Sequence, residues 1–160
     1  MRLLIASIGR MKAGVEKDLC DRYLDRIRKA GRSIGITSVE IIELTESKQP
    51  QNQRRKDEEA EALLKALPRD AVIVALDERG KMLDSKGFAN YVDRHRTQAG
   101  GNIAFVLGGP DGHGTKVLQS ANLKLAFGTM TWPHQLARVM LVEQVYRAIT
   151  ILSGHPYHRQ

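Results

Sequence analysis

The sequence predicts an α/β fold in which a mostly parallel sheet is flanked by helices. Short apolar segments alternate along the chain with amphipathic helical patterns, which is the element order of α/β proteins. The apolar segments are nearly continuous, as in strands that are covered on both faces. The 160-residue chain shows no internal repeat or linker, so it is predicted to form one domain over residues 1–160.

Five segments have the length and aliphatic composition of buried strands. They are Leu3–Ile8, Val39–Leu44, Val72–Leu76, Ile103–Leu107 and Ala126–Thr131. Because helical patterns separate them, we expect crossover connections and parallel pairing rather than hairpins.

Three helices are predicted between these strands from apolar residues at helical spacing. Ser85 is the predicted N-cap of the third helix. The polar stretch Lys48–Glu61 is predicted to be a mobile loop that runs into the second helix. The apolar positions of the three helices are, in order, Val15, Leu19, Tyr23 and Ile27; Ala60, Leu63, Leu64 and Leu67; and Phe88, Tyr91, Val92 and His95.

The last predicted helix, from about Gln135 to Leu152, is apolar nearly all round. Such a helix needs cover on more than one side, and the sheet of a small domain covers one side only. The pattern therefore has two interpretations. One is a homodimer that packs through this helix, and the other is a central core helix within a single chain.

The chain carries 25 Lys and Arg against 18 Asp and Glu, a formal charge of +7. More than half of the excess lies in residues 112–160, which have five basic residues against one acidic residue. The charge favours a polyanionic partner such as nucleic acid. Cys20 is the single cysteine, which excludes a disulfide scaffold. The longest uncharged run, residues 97–110, is too short to span a bilayer. No secretory signal is recognised, so we expect a cytoplasmic protein that does not bind membranes.

The densest candidate for a ligand site is Gly108-Gly109-Pro110-Asp111-Gly112, directly after a predicted strand. Glycines let a ligand approach bare backbone, and ligands of open α/β sheets bind at the carboxyl ends of strands. A tight turn without a ligand is the alternative. The spacings of a P-loop and of G-x-G-x-x-G are absent, which disfavours the nucleotide or flavin binder that the fold pattern alone would suggest.

Two further strand ends are predicted to face the same crevice. Leu76–Lys81 follows one strand, and Phe127–His134 leads into the last helix. Backbone groups of these loops could bind the hydrogen-bonding edge of an adenine between apolar walls that include Trp132. Ordinary core packing is the alternative explanation for Trp132.

The segment His155–Arg159 combines two imidazoles, a phenol and a guanidinium, which suits stacking on bases and binding of phosphate. A solvated tail is the alternative. A metal site is disfavoured because no third ligand has a matching spacing. On the preceding helix Glu143 and Arg147 are spaced as an i, i+4 ion pair, and together with Arg138 they are predicted to line an interface or a site.

Taken jointly, these motifs resemble the ribosomal RNA large subunit methyltransferase H family, within the SPOUT superfamily, over essentially the whole chain. Asp111 and Trp132 differ from the Glu and Leu most usual in that family, which affects details of the pocket. The motifs that carry the resemblance are Leu76-Asp77-x-x-Gly80-Lys81, Gly108-Gly109-Pro110-x-Gly112, Thr131-x-Pro133-His134, Arg138-Val139, Glu143-x-x-Tyr146-Arg147-Ala148 and His155-Pro156-Tyr157-His158-Arg159.

The resemblance implies a SPOUT-type sheet with a C-terminal trefoil knot, an exception to the rule that chains avoid knots. It also implies a homodimer that binds S-adenosyl-L-methionine and methylates N3 of a pseudouridine in 23S ribosomal RNA of the large subunit, on the assembled ribosome. By matching motifs, the residues expected to contact the cofactor are Leu76, Gly108, Phe127, Gly128, Thr129, Met130, Thr131 and Trp132.

On the substrate side, the candidate catalytic residues are Glu143, Arg147 and His158, and no metal is required. The base that accepts the N3 proton stays open among Glu143, His155 and His158. The residues expected to contact RNA are Arg138, His155, Tyr157, His158 and Arg159.

Two rival functions remain open from the sequence. One is a SPOUT methyltransferase that acts on another RNA, such as transfer RNA. The other is a non-catalytic RNA-binding factor with the same fold.

Overall fold

A computed structural model describes residues 1–97 and 101–159 of the chain. Within these residues, five strands form one parallel sheet in the order β2-β1-β4-β3-β5. The strands are β1 (Arg2–Ile8), β2 (Ser38–Leu44), β3 (Val72–Met82), β4 (Asn102–Leu107) and β5 (Leu123–Ala126). The helices are α1 (Val15–Gly31), α2 (Asn52–Ala66), α3 (Ser85–Arg96), α4 (Thr115–Ser120) and α5 (His134–Leu152).

Helices cover both faces of the sheet, as the continuous apolar strands predict. Alternate residues of β1 divide between two cores: Leu3 and Ile5 pack on the side of α1, α3 and α5, whereas Leu4 and Ala6 pack on the side of α2 and α4. The α/β prediction with a mostly parallel sheet is therefore confirmed. In the described part of the chain no helix is long and apolar enough to cross a membrane.

The apolar character of α5 is largely explained within one chain. This helix lies between α1 and α3 on the sheet, and residues from several of its sides are buried, including Val139, Leu141 and Val142. The interpretation as a central core helix therefore accounts for most of its pattern. Leu136 remains exposed near its beginning.

Three predicted boundaries are wrong. The fifth strand is Leu123–Ala126 rather than Ala126–Thr131, and the chain leaves the sheet just before Gly128, which has a φ of 127°. The N-cap of α3 is Asp84, whose Oδ1 accepts a hydrogen bond from the Gly87 amide at 2.6 Å. Most of Lys48–Glu61 is helical because α2 begins at Asn52. Apart from the buried Glu59, its polar residues lie on an exposed or partly exposed surface.

Strand β3 is longer than predicted and irregular in its second half. It pairs with β5 through Val74–Leu76 and again through Lys81–Met82, with a register shift between them. A Cβ at Gly80 would lie 2.6 Å from the carbonyl carbon of Lys124. Glycine at this position is therefore required by the close approach of the two strands.

Candidate active site

The three loops of the predicted cofactor site meet at the carboxyl edge of the sheet. Leu76 of β3 is in register with Leu107 of β4 and with Leu125 of β5. Gly108 follows Leu107, and Phe127 lies two residues after Leu125. The sheet register thus brings all three parts of the predicted site to one level, where ligands of open α/β sheets bind.

The loop after β5 has backbone groups available for a ligand. Residues 128–132 form no backbone–backbone hydrogen bond to the described part of the chain. The Thr131 hydroxyl donates to Glu78 Oε2 at 2.9 Å, which ties this loop to the bulge of β3. Met130 is 72% exposed, and Trp132 is 41% exposed, so core packing is not the explanation for Trp132.

Gly108 serves the geometry of its own loop. The Gly112 amide donates to the Gly109 carbonyl at 2.9 Å, which closes a turn. A Cβ at Gly108 would lie 2.8 Å from the carbonyl carbon of Gly112 and 3.0 Å from the His113 amide nitrogen. A side chain at Gly108 therefore opens this turn, whether or not a ligand is bound.

Helix α2 holds the same loop from the other side. Arg55 Nε donates to Asp111 Oδ2 at 2.6 Å, and the Asn52 amide donates to Asp111 Oδ1. A Cβ at Gly109 would lie 2.8 Å from Glu59 Oε2. Burial raises the pKa of the Glu59 carboxyl above its usual value.

His113 is a site residue that the sequence analysis did not identify. The residue is 6% exposed, and its Nε2 lies 3.0 Å from the Leu76 carbonyl oxygen. A carbonyl only accepts, so Nε2 carries the hydrogen. The imidazole thereby joins two of the predicted cofactor loops. One histidine beside a glycine cluster gives no sequence signal for such a contact.

Stability is expected to fall as the pH drops below about 6.5, the ordinary histidine value. Burial lowers the pKa values of His113 and His134 in the folded protein. The unfolded chain therefore binds protons at a higher pH than the folded chain, and acid favours unfolding. Urea denaturation between pH 8 and pH 5 measures this loss, and His113→Gln is expected to flatten it. His155→Gln, at an exposed position, serves as control, and an unchanged slope in His113→Gln would contradict the assignment.

Arg138 is placed differently from its predicted role as an RNA contact. Its side chain is 3% exposed. Its Nη2 donates to Ser7 Oγ at 2.5 Å and to the Gly9 carbonyl at 3.0 Å, and its Nη1 pairs with Glu43. The guanidinium is occupied by the ends of β1 and β2, so it does not offer a free cation to a phosphate. We interpret it as a structural anchor of α5.

The C-terminal segment folds back onto α5 and α1 around Glu143. Tyr157 donates to Glu143 Oε1 at 3.0 Å, and Arg147 donates to the same oxygen through Nε and Nη2. The Tyr157 ring packs edge-on against Tyr146 at 4.8 Å between centroids. Tyr157 and His158 are therefore packed against the helices, whereas residues 153–156 and 159 are exposed.

These contacts distinguish the three candidates for the base. Glu143 is occupied by an arginine and a phenol, which does not suit proton removal. His158 Nδ1 lies 3.4 Å from Arg147 Nη1, and His155 is exposed. Burial, reinforced by hydrogen bonds to Tyr23 and Glu143, raises the pKa of Tyr157, so this phenol stays protonated near neutral pH. His158 lies beside Arg147 and is kept as the candidate base. Because a guanidinium only donates, His158 Nδ1 accepts this long contact, and it must exchange Arg147 for the substrate proton to act as base.

A cavity of about 630 Å³ lies between α1, α3 and α5 and reaches the predicted cofactor loop at Phe127 and Gly128. Its walls are mostly apolar. The polar side chains among the lining residues are Tyr23, Asp84, Ser85, Glu143 and Gln144. Glu143 was predicted from its motif, whereas Ser85 was predicted only as a cap and Gln144 not at all. The lining residues are Leu19, Tyr23, Met82, Leu83, Asp84, Ser85, Phe88, Leu125, Ala126, Phe127, Gly128, Val139, Met140, Glu143 and Gln144.

Comparison with known proteins shows the family to which this chain belongs. The family model described as "Predicted SPOUT methyltransferase" matches residues 1–158. Proteins named ribosomal RNA large subunit methyltransferase H are similar over 99% of both chains: that of Allorhizobium ampelinum is 52% identical and that of Xanthobacter autotrophicus 51% identical. A probable methylase family protein from Haemophilus influenzae shares the fold at 13% identity with a TM-score of 0.50, covering 99% of this chain and 70% of the other.

Proposed function

Because the chain belongs to the SPOUT methyltransferase family, we propose that it methylates N3 of a pseudouridine in 23S ribosomal RNA, with S-adenosyl-L-methionine as methyl donor. The observation that carries this proposal is the common level of Leu76, Gly108 and Phe127 at the carboxyl edge of the sheet. In this proposal residues 1–160 act as one domain, and the ribosomal substrate places the reaction in the cytoplasm.

The residues present fit the proposed cofactor. Residues 128–132 make no backbone–backbone hydrogen bond within the described chain, so their amides and carbonyls are available to an adenine edge. Leu76 and Phe127 are half-buried apolar side chains beside them. Gly108 has no side chain, so a ligand can approach its backbone. We therefore assign cofactor contacts to Leu76, Gly108, Phe127, Gly128, Thr129, Met130, Thr131 and Trp132.

When bound, S-adenosyl-L-methionine supplies an electrophilic methyl group on a sulfonium. The protein must align the base with that methyl and exclude water. It must also accept the N3 proton or stabilise the anion that its loss leaves. Arg147 lies beside His158 and can stabilise the anion that forms when N3 loses its proton. In this mechanism His158 accepts the proton, whereas Glu143 orients Arg147 and Tyr157.

The RNA-contacting side is proposed to be the folded C-terminal segment with His155, Tyr157, His158 and Arg159. Arg147 lies 4.9 Å from the centre of the Tyr157 ring, and Arg26 of α1 covers Tyr23 and Tyr146. Aromatic rings and arginines placed together are the groups that stack on unpaired bases and bind phosphate.

We expect His158→Ala to lower the single-turnover rate of methyl transfer by about 100-fold, the usual contribution of one proton-transfer group. The pH dependence of the rate should change with it, because the titrating base is lost. Rapid-quench assays across pH 6–9 measure both quantities. His155→Ala, which removes a proposed RNA contact but not the base, is the comparison: it should weaken binding of the ribosome and leave the rate at saturation and its pH profile unchanged. A His158→Ala protein with full rate and an unchanged pH profile would contradict the role.

A homodimer and the C-terminal knot complete the proposal. Large apolar side chains remain exposed around the beginnings of α1 and α5, among them Val15 at 78% and Leu136 at 41%. Apolar surface of this kind is typical of an interface, and a second copy of the chain is the proposed occupant. Light scattering of the purified protein tests this, and a monomer at micromolar concentration would contradict it.

The decisive experiment is methyl transfer from radiolabelled S-adenosyl-L-methionine to ribosomes that lack the modification, followed by mapping of the labelled nucleotide. Free large subunits, protein-free ribosomal RNA and transfer RNA are assayed in parallel. We expect label in one pseudouridine of 23S RNA, in ribosomes only. Label in transfer RNA would replace the substrate, and tight cofactor binding without any transfer would favour a non-catalytic RNA-binding factor.

A further inference from the structure

We propose that the cavity between α1, α3 and α5 receives the target base, and that Ser85 and Gln144 select pseudouridine over uridine. This inference rests on the proposed function, because it names the specificity determinants of that reaction. The cavity adjoins Phe127 and Gly128, which are assigned to the cofactor. A base held there is next to the cofactor loop, as methyl transfer requires.

The size and lining of the cavity suit a base that has left its helix. Enzymes that act on a nucleobase extrude it into a pocket and hold it by stacking and edge hydrogen bonds. About 630 Å³ is ample for one nucleotide, and Phe88, Val139 and Met140 provide apolar walls. The Tyr23 and Glu143 side chains at the margin connect the cavity to the C-terminal segment.

Hydrogen bonds fix the direction of the Gln144 amide. Gln144 Nε2 lies 2.7 Å from Glu143 Oε2, and a carboxylate only accepts, so the amide nitrogen faces Glu143. Gln144 Oε1 therefore faces Ser85 Oγ, at 2.9 Å. Because an amide oxygen cannot donate, the Ser85 hydroxyl is the donor, and its single hydrogen is used in the bond to Gln144. The lone pairs of Ser85 Oγ are left as acceptors at the cavity wall.

Each carboxylate of the cavity has one oxygen engaged by other parts of the protein. Asp84 caps α3 by accepting from the Gly87 amide, and Glu143 is bound by Arg147 and Tyr157. Ser85 Oγ, with the second lone pair of Gln144 Oε1, is an uncharged acceptor at the cavity wall.

A hydrogen-bond acceptor on the protein can distinguish the two possible bases, because they differ in one donor. Pseudouridine and uridine both present N3–H between two carbonyls, but pseudouridine carries an additional ring N1–H where uridine has a C–H. A site that accepts a hydrogen bond from that N1–H leaves its acceptor unpaired when uridine enters, and a buried unpaired polar group is costly. The Ser85–Gln144 pair therefore favours pseudouridine.

The test compares ribosomes that carry pseudouridine at the target with ribosomes from cells that lack the pseudouridine synthase and carry uridine. We expect Ser85→Ala and Gln144→Leu each to reduce the ratio of kcat/KM for the two substrates by at least about tenfold. Ser85→Thr keeps the hydroxyl and should retain the ratio. Lys86→Ala and Gln135→Ala, on the same two helices but outside the cavity, are the matched controls.

The outcomes separate this inference from the proposed function. Absence of methyl transfer by the unmodified protein overturns both. Normal transfer with an unchanged ratio in Ser85→Ala and Gln144→Leu overturns this inference alone. A weaker affinity for S-adenosyl-L-methionine with an unchanged ratio, measured by calorimetry, assigns the cavity to the cofactor and also overturns it. Because Asp84 rather than Ser85 caps α3, thermal unfolding of Ser85→Ala should match the unmodified protein.

Discussion

Arg138→Leu is expected to lower the free energy of unfolding by about 3 kcal/mol, the lower end of the range for breaking a buried ion pair. The lower end applies because Glu43 is still 27% exposed and recovers some hydration. Ser7 Oγ, which is fully buried, loses the donor from Arg138. Urea denaturation followed by circular dichroism measures the change.

The exposed pair Arg2–Glu40 provides the control for this prediction. Both side chains are nearly half exposed, so Arg2→Leu should cost less than about 1 kcal/mol. Arg138→Lys keeps the charge but not the forked geometry, and it should fall between the two. If Arg138→Leu costs no more than Arg2→Leu, the guanidinium is not an anchor of α5, and an RNA-binding role returns to consideration.

Gly108→Val is expected to abolish measurable binding of S-adenosyl-L-methionine. The Cβ meets Gly112 and His113 backbone at 2.8 to 3.0 Å, so the turn must open, and His113 moves with it away from the Leu76 carbonyl. Calorimetry measures the affinity. The cost in stability should be about 1 to 3 kcal/mol, as for other overpacked sites.

Gly112→Asn is the matched control in the same turn. Gly112 has a φ of 82°, a Cβ there meets nothing within 4 Å, and asparagine tolerates this left-handed conformation. We expect near-normal affinity. Hydrogen exchange of the unmodified protein adds an independent readout, since the cofactor should protect the amides of residues 128–132. Normal affinity in Gly108→Val, or no protection in this loop, would mean that the cofactor binds elsewhere.

The fold was largely predictable because burial on both faces leaves a strong pattern. Segments such as Leu3–Ile8 and Ile103–Leu107 are apolar at every position or nearly so, which half-exposed strands are not. The end of the sheet was missed because Leu123–Ala126 is a short edge strand containing Lys124. The extension of β3 beyond Leu76 was missed because its second half is polar and exposed.

The site was predictable in part. Loops at strand ends could be located from Gly108 and from Phe127–Trp132, but what a side chain touches depends on tertiary contacts. Arg138 looks like a substrate residue in sequence because a charge in an apolar helix is conspicuous, and its partners Ser7 and Glu43 lie about 131 and 95 residues away. His113 and Gln144 carry no local signal at all.

The strand order has a consequence for the time at which the chain can fold. Strand β1 is an internal strand between β2 and β4. Its pairing with β4 joins Arg2 to Asn102 across 100 positions of sequence. Such distant pairing is slow because the entropy of loop closure is lost before the stabilising contacts between the strands can form. A nascent chain emerging from its own ribosome has β1 and β2 early, yet β1 keeps one open edge until residue 107 is available. This protein is thus expected to complete its sheet late in synthesis, with an exposed apolar strand in the interval.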